Sequence, residues 1–352
     1  MTMAAFAFLV SAPTVVFQSP SDGFDTFRIP ALIKAGPGTL LAFAEGRQSQ
    51  ADAAGNRIVL RRSSDNGRSW GPLQVIAVPE GGSFNNPTAV VSERGRLLLH
   101  FQHYPQGTHE YDVEAGLTGP KSVQSYQMVS LDGGQSWSEP VNITSQVKHP
   151  EAQTLASGPG VGITLRHLPH KGRVVVPYNQ RIGQRWSVYM AYSDDGGTTW
   201  ARGSTVPASP EYQPNEVQVA ELADGRILMN CRNQAKGKFR LSASSTDQGR
   251  TWDSAHPVPD LPDPTCQGSL LSLAGKQPTQ AFSNPADTKD RVRGTFRLSF
   301  DSGATWSQSV GIESGSFQYS CLTELADGLI GILYEHTESG RYQIRFRRIS
   351  WR

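Results

Sequence analysis

Five copies of one eight-residue pattern constrain this 352-residue chain more than anything else in it. SSDNGRSW (63–70), SLDGGQSW (130–137), SDDGGTTW (193–200), STDQGRTW (245–252) and SFDSGATW (299–306) all read Ser-x-Asp-x-Gly-x-Ser/Thr-Trp, and together they hold five of the seven tryptophans. The residue types are those of a hairpin tip: aspartate accepts bonds from amides of its own turn, glycine takes positive φ, and tryptophan packs the turn down. Aspartate and glycine also punctuate calcium loops, but the ladder of oxygen ligands ending in a glutamate is missing. The boxes therefore read as structural.

A second repeat lies between the boxes. Each copy is a short apolar strand, a turn usually carrying glycine, and a second apolar strand: RIPALIKAGPGTLLAFAEGR (28–47), NPTAVVSERGRLLLHFQHY (86–104), EVQVAELADGRILMNCRNQ (216–234) and YSCLTELADGLIGILYEHT (319–337). A looser copy spans 152–180, and QGSLLSLAGKQPTQAFSNP (267–285) supplies another, which makes six units. Six strand pairs followed by box-tipped hairpins predict an all-β, six-bladed β-propeller with four antiparallel strands per blade and five recognisable Asp-boxes. Thirty-five glycines and 23 prolines agree with a turn-rich β chain, and no amphipathic helix of ordinary length stands out. The expectation is one domain over residues 1–352, with residues 1–12 as a tail or first strand.

Charge and cysteine content exclude several function classes. A net charge of +2 with 18% charged residues creates no global field for nucleic acid or a membrane surface, so the partner is a small molecule. Cys231, Cys266 and Cys321 are too few and too scattered for a disulfide framework or a zinc pattern, and they read as buried thiols. The opening MTMAAFAFLVSAP lacks a basic segment before its apolar run and is too short to span a bilayer. A soluble protein follows, cytoplasmic rather than secreted.

In a propeller, equivalent repeat positions converge on the axis, and that turns the repeat into a site prediction. The residues opening the inner strands are Arg28, Asn86, Gln153 or a neighbour, Glu216, Gln267 and Tyr319. Those ending the next strands are Arg47, a residue near His103, Asn179 or its neighbour Tyr178, Arg232, Asn284 or Ser283, and Glu335. Nearly all are polar beside apolar strands, the reverse of what a packed centre needs.

The FRIP of 27–30, the five boxes, NEVQVAEL (215–222), SNPADTKDRVRGT (283–295) and SFQYSCL (316–322) resemble the signatures of the sialidase family, in that family's order and over essentially the whole chain. The resemblance implies an exo-acting glycosidase that releases terminal α-linked sialic acid with retention, from sialylated glycans and with no cofactor or metal. Sialidases depart from the two-carboxylate scheme of most glycosidases in using a tyrosine nucleophile. On this resemblance Arg28, Arg232 and Arg291 match the three arginines that grip the substrate carboxylate, a task suited to guanidinium forks. Tyr319 matches the nucleophile, Glu216 its base and Asp52 the acid/base. Glu335 matches the acid that holds the first arginine, and Arg47, Asn86, Tyr178 and Gln267 fall at substrate-contacting positions. Arg293 stands two residues beyond Arg291, and the spacing from SNP and to GT favours Arg291.

The residue chemistry agrees with that assignment. Sialic acid carries a carboxylate on its anomeric carbon, which repels an anionic nucleophile but admits a neutral phenol that loses its proton on attack. The clamp is equally suited to related 2-keto sugar acids such as KDN or Kdo, and to transfer rather than hydrolysis. A non-catalytic glycan- or protein-binding propeller is the rival of another class. It predicts that Tyr319, Glu216 or Asp52 is missing, and all three are present. His100, His103 and His109 are spaced for no recognisable metal site. The irregular stretch 104–124 is the candidate pocket rim.

Overall fold

The computed structural model describes residues 8–235, 237–275 and 277–351. Its strands form six sheets that follow one another in chain order as the blades of a propeller. Blade one runs Thr26–Gly36, Thr39–Arg47, Arg57–Ser63 and Gln74–Ala77, each strand antiparallel to the one before. Blade two spans Ser83 to Asn142, blade three Thr154 to Arg202, blade four Pro214 to Pro262 and blade five Gln308–Ser316 on its outer edge after Ser269–Leu273 on its inner. Inner strands are apolar on both faces because each blade is covered by its two neighbours; Ala31, Leu32, Val217 and Cys321 are fully buried.

Blade six is assembled from both ends of the chain. Ser320–Glu324, Ile330–Glu338 and Arg341–Trp351 are completed by Thr14–Gln18 and Phe8–Val10, which pair with the last strand. This joint closes the ring, and it explains why six units carry five boxes. A box tips the hairpin between third and fourth strands, and in blade six that hairpin does not exist because the fourth strand comes from the N-terminal side. Of the two readings of the N-terminal run, tail or first strand, residues 8–10 take the second, because the sheet needs an outer partner; residues 1–7 lie outside the described residues.

All five boxes share one hydrogen-bond pattern. In the first, Ser63 donates to Asp65 (2.8 Å) and accepts the Gly67 amide (2.8 Å), while Asp65 accepts the amide and hydroxyl of Ser69 at 2.9 and 2.6 Å. Those bonds, the Ser69 hydroxyl first among them, draw the Asp65 carboxyl down to about 2. The carboxylates are consumed inside their own turns, as a structural role requires. The box glycines also face the preceding blade. A Cβ on Gly134 (φ +85°) would lie 2.4 Å from Leu41 of blade one, and one on Gly197 2.3 Å from Leu98 of blade two.

The inner strands bend where they reach the top of the channel. Ile29 (φ 59°) and Asn86 (φ 57°) sit in the left-handed region, each just before a proline, Pro30 or Pro87. Strand register slips at both places, between Arg28 and Ala31 and between Asn85 and Thr88. Proline cannot donate to the ladder and a bulge re-aims the residues before it. Left-handed backbone is costly for a β-branched residue, and both N–H groups are taken by buried carboxylates: Ile29 by Glu335 and Asn86 by Glu45, each at 2.7 Å.

Replacing Gly134 by alanine combines positive φ with a clash against Leu41, so Gly134→Ala is expected to lower stability by about 2 kcal/mol. Urea unfolding checks this, and an unchanged midpoint would contradict the inter-blade role of the box glycine.

Candidate active site

Side chains from all six blades meet in one cavity at the channel mouth. Blade one supplies Arg28, Arg47 and Asp52, blade two Asn86 and Glu110, blade three Asn179 and Trp186, blade four Glu216 and Arg232, and the approach to the third strand of blade five Arg291. Tyr319, just before the first strand of blade six, lies among them.

Tyr319 is the centre of this arrangement. Its hydroxyl donates to Glu216 Oε1 and accepts from Arg232 Nη1 at 3.3 Å, while Arg232 Nη1 also donates to Glu216 Oε2 at 2.9 Å. The guanidinium carbons of Arg28 and Arg291 each stand 5.5 Å from the Tyr319 ring centre. Three arginines from three blades therefore surround one phenol. Burial, then the Glu216 charge, pushes the Tyr319 hydroxyl well above the usual phenol range, so it is neutral at rest.

The arginines are held in different ways. Arg28 donates through Nε and Nη2 to the two oxygens of Glu335, at 2.7 and 3.0 Å, and Glu335 is fully buried behind it. Burial opposes the charges of Arg28 and Arg232, but their carboxylate partners outweigh it and keep both guanidiniums firmly protonated. Arg291 is positioned by neutral acceptors, Gln318 Oε1 at 3.4 Å and the Thr265 carbonyl at 3.2 Å, which leaves its charge free for an anion.

A second ionic cluster lies on the blade-one side. Arg47 bonds Glu45 through Nε (2.8 Å) and Nη2 (2.6 Å) and grips Asp52 Oδ1 through Nη1 (2.8 Å). Asp52 is the open member, with 63% of its side chain exposed, and His109 of the blade-two rim faces it at 3.9 Å. Partial desolvation works against its charge, but Arg47, Arg28 and His109 prevail and hold its carboxyl below the ordinary range. Glu110, from the same rim, is pushed upward by burial and by the charge of Glu216.

Comparison with known proteins points the same way as this geometry. Residues 18–332 match the BNR repeat-like domain. The chain is 34% identical over 336 residues to a sialidase of Micromonospora viridifaciens, covering 91% of this chain and 51% of that protein, and 31% identical to a sialidase of Bacteroides fragilis, covering 91% and 62%. It therefore spans between half and two thirds of these relatives. An exo-alpha-sialidase of Aspergillus fumigatus is 29% identical, with 94% and 84% covered. Among solved structures, the Hadza microbial sialidase Hz136 superposes with a TM-score of 0.83 at 28% identity, covering 92% of this chain and 66% of that one. An intramolecular trans-sialidase from Ruminococcus gnavus shares the fold, with a TM-score of 0.83 at 19% identity and coverage of 95% and 96%.

The chain belongs to the sialidase family. Of the residues that the family resemblance selects, Arg28, Arg47, Asp52, Asn86, Glu216, Arg232, Arg291 and Tyr319 line the cavity, and Glu335 stands behind Arg28. Arg291 and Arg293 do not share a face. Arg293 has φ 57° and lies in a bulge, which turns it outward to an ion pair with Asp287.

Two expected pocket residues are corrected. Tyr178 is fully buried between blades, stacked on Tyr189 and hydrogen-bonded to His100 at 2.7 Å, and strand alternation puts its neighbour Asn179 at the cavity instead. Gln267 is also buried and ties blade five to blade six, accepting the Ser320 amide (2.9 Å) and donating to the Ser320 carbonyl (3.0 Å). It straps inner strands together below the site.

The histidines separate as well: His100 is buried and driven down to about 3, His103 bonds the Gly81 carbonyl, and His109 faces Asp52. Among the described residues, no group of three His, Cys, Asp or Glu is placed to hold a metal. No helix among them is long and apolar enough to cross a membrane.

Sequence reasoning missed Glu45, Asn85, Glu110, Trp186 and Gln234, all of which line the cavity. Two left a signal. Trp186 is one of two tryptophans outside the boxes, and Glu110 lies within the irregular rim stretch 104–124. Glu45 is two residues before Arg47 on one strand face, a spacing too common to be noticed alone.

Glu335→Ala strands the Arg28 charge and the Ile29 amide without their acceptor. A loss of about 3–5 kcal/mol in unfolding free energy is expected; a loss below about 1 kcal/mol in urea titration would contradict the placement of this pair at the centre of the blade joint.

Proposed function

We propose that this protein is a retaining exo-α-sialidase whose nucleophile is Tyr319. The observation that carries the reading is the bond from Tyr319 to Glu216 inside a ring of three arginines. A terminal sialic acid places its carboxylate on Arg28, Arg232 and Arg291, which sets the adjacent anomeric carbon beside the Tyr319 oxygen.

In the first half-reaction Tyr319 attacks that carbon and its proton passes to Glu216, while Asp52 protonates the departing glycosidic oxygen. Arg232, already against the phenol oxygen, stabilises the charge that develops as the proton leaves. In the second half, Asp52 takes a proton from water as the water attacks the anomeric carbon. The Tyr319 oxygen departs and recovers its proton from Glu216. A buried neutral phenol suits this task because it approaches an anionic substrate without repulsion. The name carried by the Aspergillus relative, and the six-blade scaffold shared with known sialidases, support the same substrate class.

Tyr319→Phe is expected to lose activity on an aryl α-sialoside by at least roughly 10³-fold with its fold retained; a well-folded variant with full activity sinks the mechanism. The acid role of Asp52 has a pH signature. Its depressed pKa means that, in the free protein, the protonated fraction falls tenfold for each pH unit of increase. For sialyl-lactose, whose leaving group needs a proton, kcat/KM therefore declines as pH rises from the acid side. A nitrophenyl sialoside, whose leaving group does not, shows a shallower decline. Parallel profiles for the two substrates would remove Asp52 from the acid's role.

A further inference from the structure

Glu45 is fully buried and has no direct part in the reaction just described, yet it is the most heavily engaged carboxylate in the cavity wall. It accepts from Arg47 Nε and Nη2 at 2.8 and 2.6 Å, from Asn56 Nδ2 at 3.2 Å, and through its other oxygen from the Asn86 amide at 2.7 Å. Burial pushes its carboxyl up, but every one of these partners is a donor, so the anion is the form they bind.

Each partner leads to the acid loop. Arg47 Nη1 holds Asp52 Oδ1 at 2.8 Å and the Ala51 carbonyl at 3.2 Å, and Asn56 Nδ2 donates to the Asp52 carbonyl at 2.7 Å. Glu45 thus divides the Arg47 guanidinium between two carboxylates, with Asp52 receiving only one of its three nitrogens.

The placement repeats a device used elsewhere in the ring. Glu335 of blade six receives the amide of left-handed Ile29 in blade one, and Glu45 of blade one receives the amide of left-handed Asn86 in blade two. The first copy positions a clamp arginine and the second positions the arginine that grips Asp52.

We propose that Glu45 is a positioning residue that sets how readily Asp52 serves as the general acid, by drawing off part of the Arg47 charge. This rests on the reading of Asp52 as the acid. The groups that face Asp52 are Arg47 and Arg28 from blade one and His109 from the blade-two rim, with Tyr104 beside them. Of these, Arg47 is the one Glu45 controls. Without the Glu45 charge, Arg47 is left with Asp52 as its sole carboxylate partner and holds it ionised over a wider pH range.

The test is kcat/KM on two substrates, sialyl-lactose and a nitrophenyl α-sialoside, for wild type, Glu45→Gln, Glu45→Asp and Asp52→Asn across pH. Glu45→Gln is expected to lower kcat/KM on sialyl-lactose about tenfold and on the aryl sialoside less than about twofold. The decline of the sialyl-lactose profile is expected to move down by about one pH unit. Glu45→Asp, which keeps the charge, is expected to return the substrate ratio and the profile toward wild type. The ratio of the two kcat/KM values does not depend on the folded fraction, so a destabilised variant still reports.

An equal loss on both substrates, or no loss, with the profile unmoved overturns the inference and leaves Glu45 a packing residue. A Glu45→Asp variant that behaves like Glu45→Gln overturns it too. Asp52→Asn separates the two levels. If it favours the aryl sialoside as strongly as loss of an acid requires, Asp52 is the acid whatever Glu45 does. If it shows no such preference, the reading of Asp52 fails first.

Discussion

Arg28 and Glu335 are 307 residues apart in the chain and 2.7 Å apart in the fold, and the rest of the structure depends on that contact. It spans the joint between blade one and blade six, where the ring is closed by strands from the two ends of the described chain. The same carboxylate takes the amide of Ile29 and so stabilises the left-handed bend that turns Arg28 toward the cavity. Burying two charges costs several kcal/mol each in lost hydration. Two-point pairing and a third bond from the backbone offset that cost, and they leave the arginine in one orientation. Closure of the ring, the break in the inner strand and the aim of Arg28 into the cavity are one event.

Around this joint the cavity sorts its charges by how much of each arginine is already spent. Arg28 and Arg47 are braced by fully buried carboxylates, Arg232 by Glu216, and Arg291 by neutral oxygens alone. The cavity therefore presents guanidiniums that are fixed in place but not fully neutralised. Fixed donors need little reorganisation as charge develops, which is where such a site gains most over water. The two bracing glutamates stand at repeat-equivalent joints, so preorganisation here is a property of the blade-to-blade contact rather than of any one loop.

The five boxes serve the same end from the outer rim. Their aspartates are spent on their own turns and their glycines abut side chains of the preceding blade, which limits the angle between neighbouring blades on the outside, while at the joints of blade six with one and of blade one with two a carboxylate-to-amide bond limits it on the inside. Between those two limits the inner strands have little freedom to shift, and the side chains they carry inherit that rigidity.

Fold and site were legible in the sequence to the extent that they repeat. The spacing of SSDNGRSW and its four copies determined a propeller, and equivalent repeat positions picked out Arg28, Glu216, Arg232 and Tyr319 as neighbours at the axis, because a local turn pattern recurs wherever the local sequence does. What the repeat left undecided was register and the contacts between blades. Tyr178 was expected at the pocket, but strand register puts it in the core and Asn179 at the cavity; Arg291 was preferred to Arg293 on spacing alone, whereas in the fold a bulge turns the two apart. Glu45 read as an ordinary strand residue until Asn86, 41 residues away, was found on its carboxylate. Residue chemistry and its period are carried by the chain alone. Which face a side chain takes, and which buried charge it meets, depends on register and on contacts between blades, and only the tertiary structure decides those.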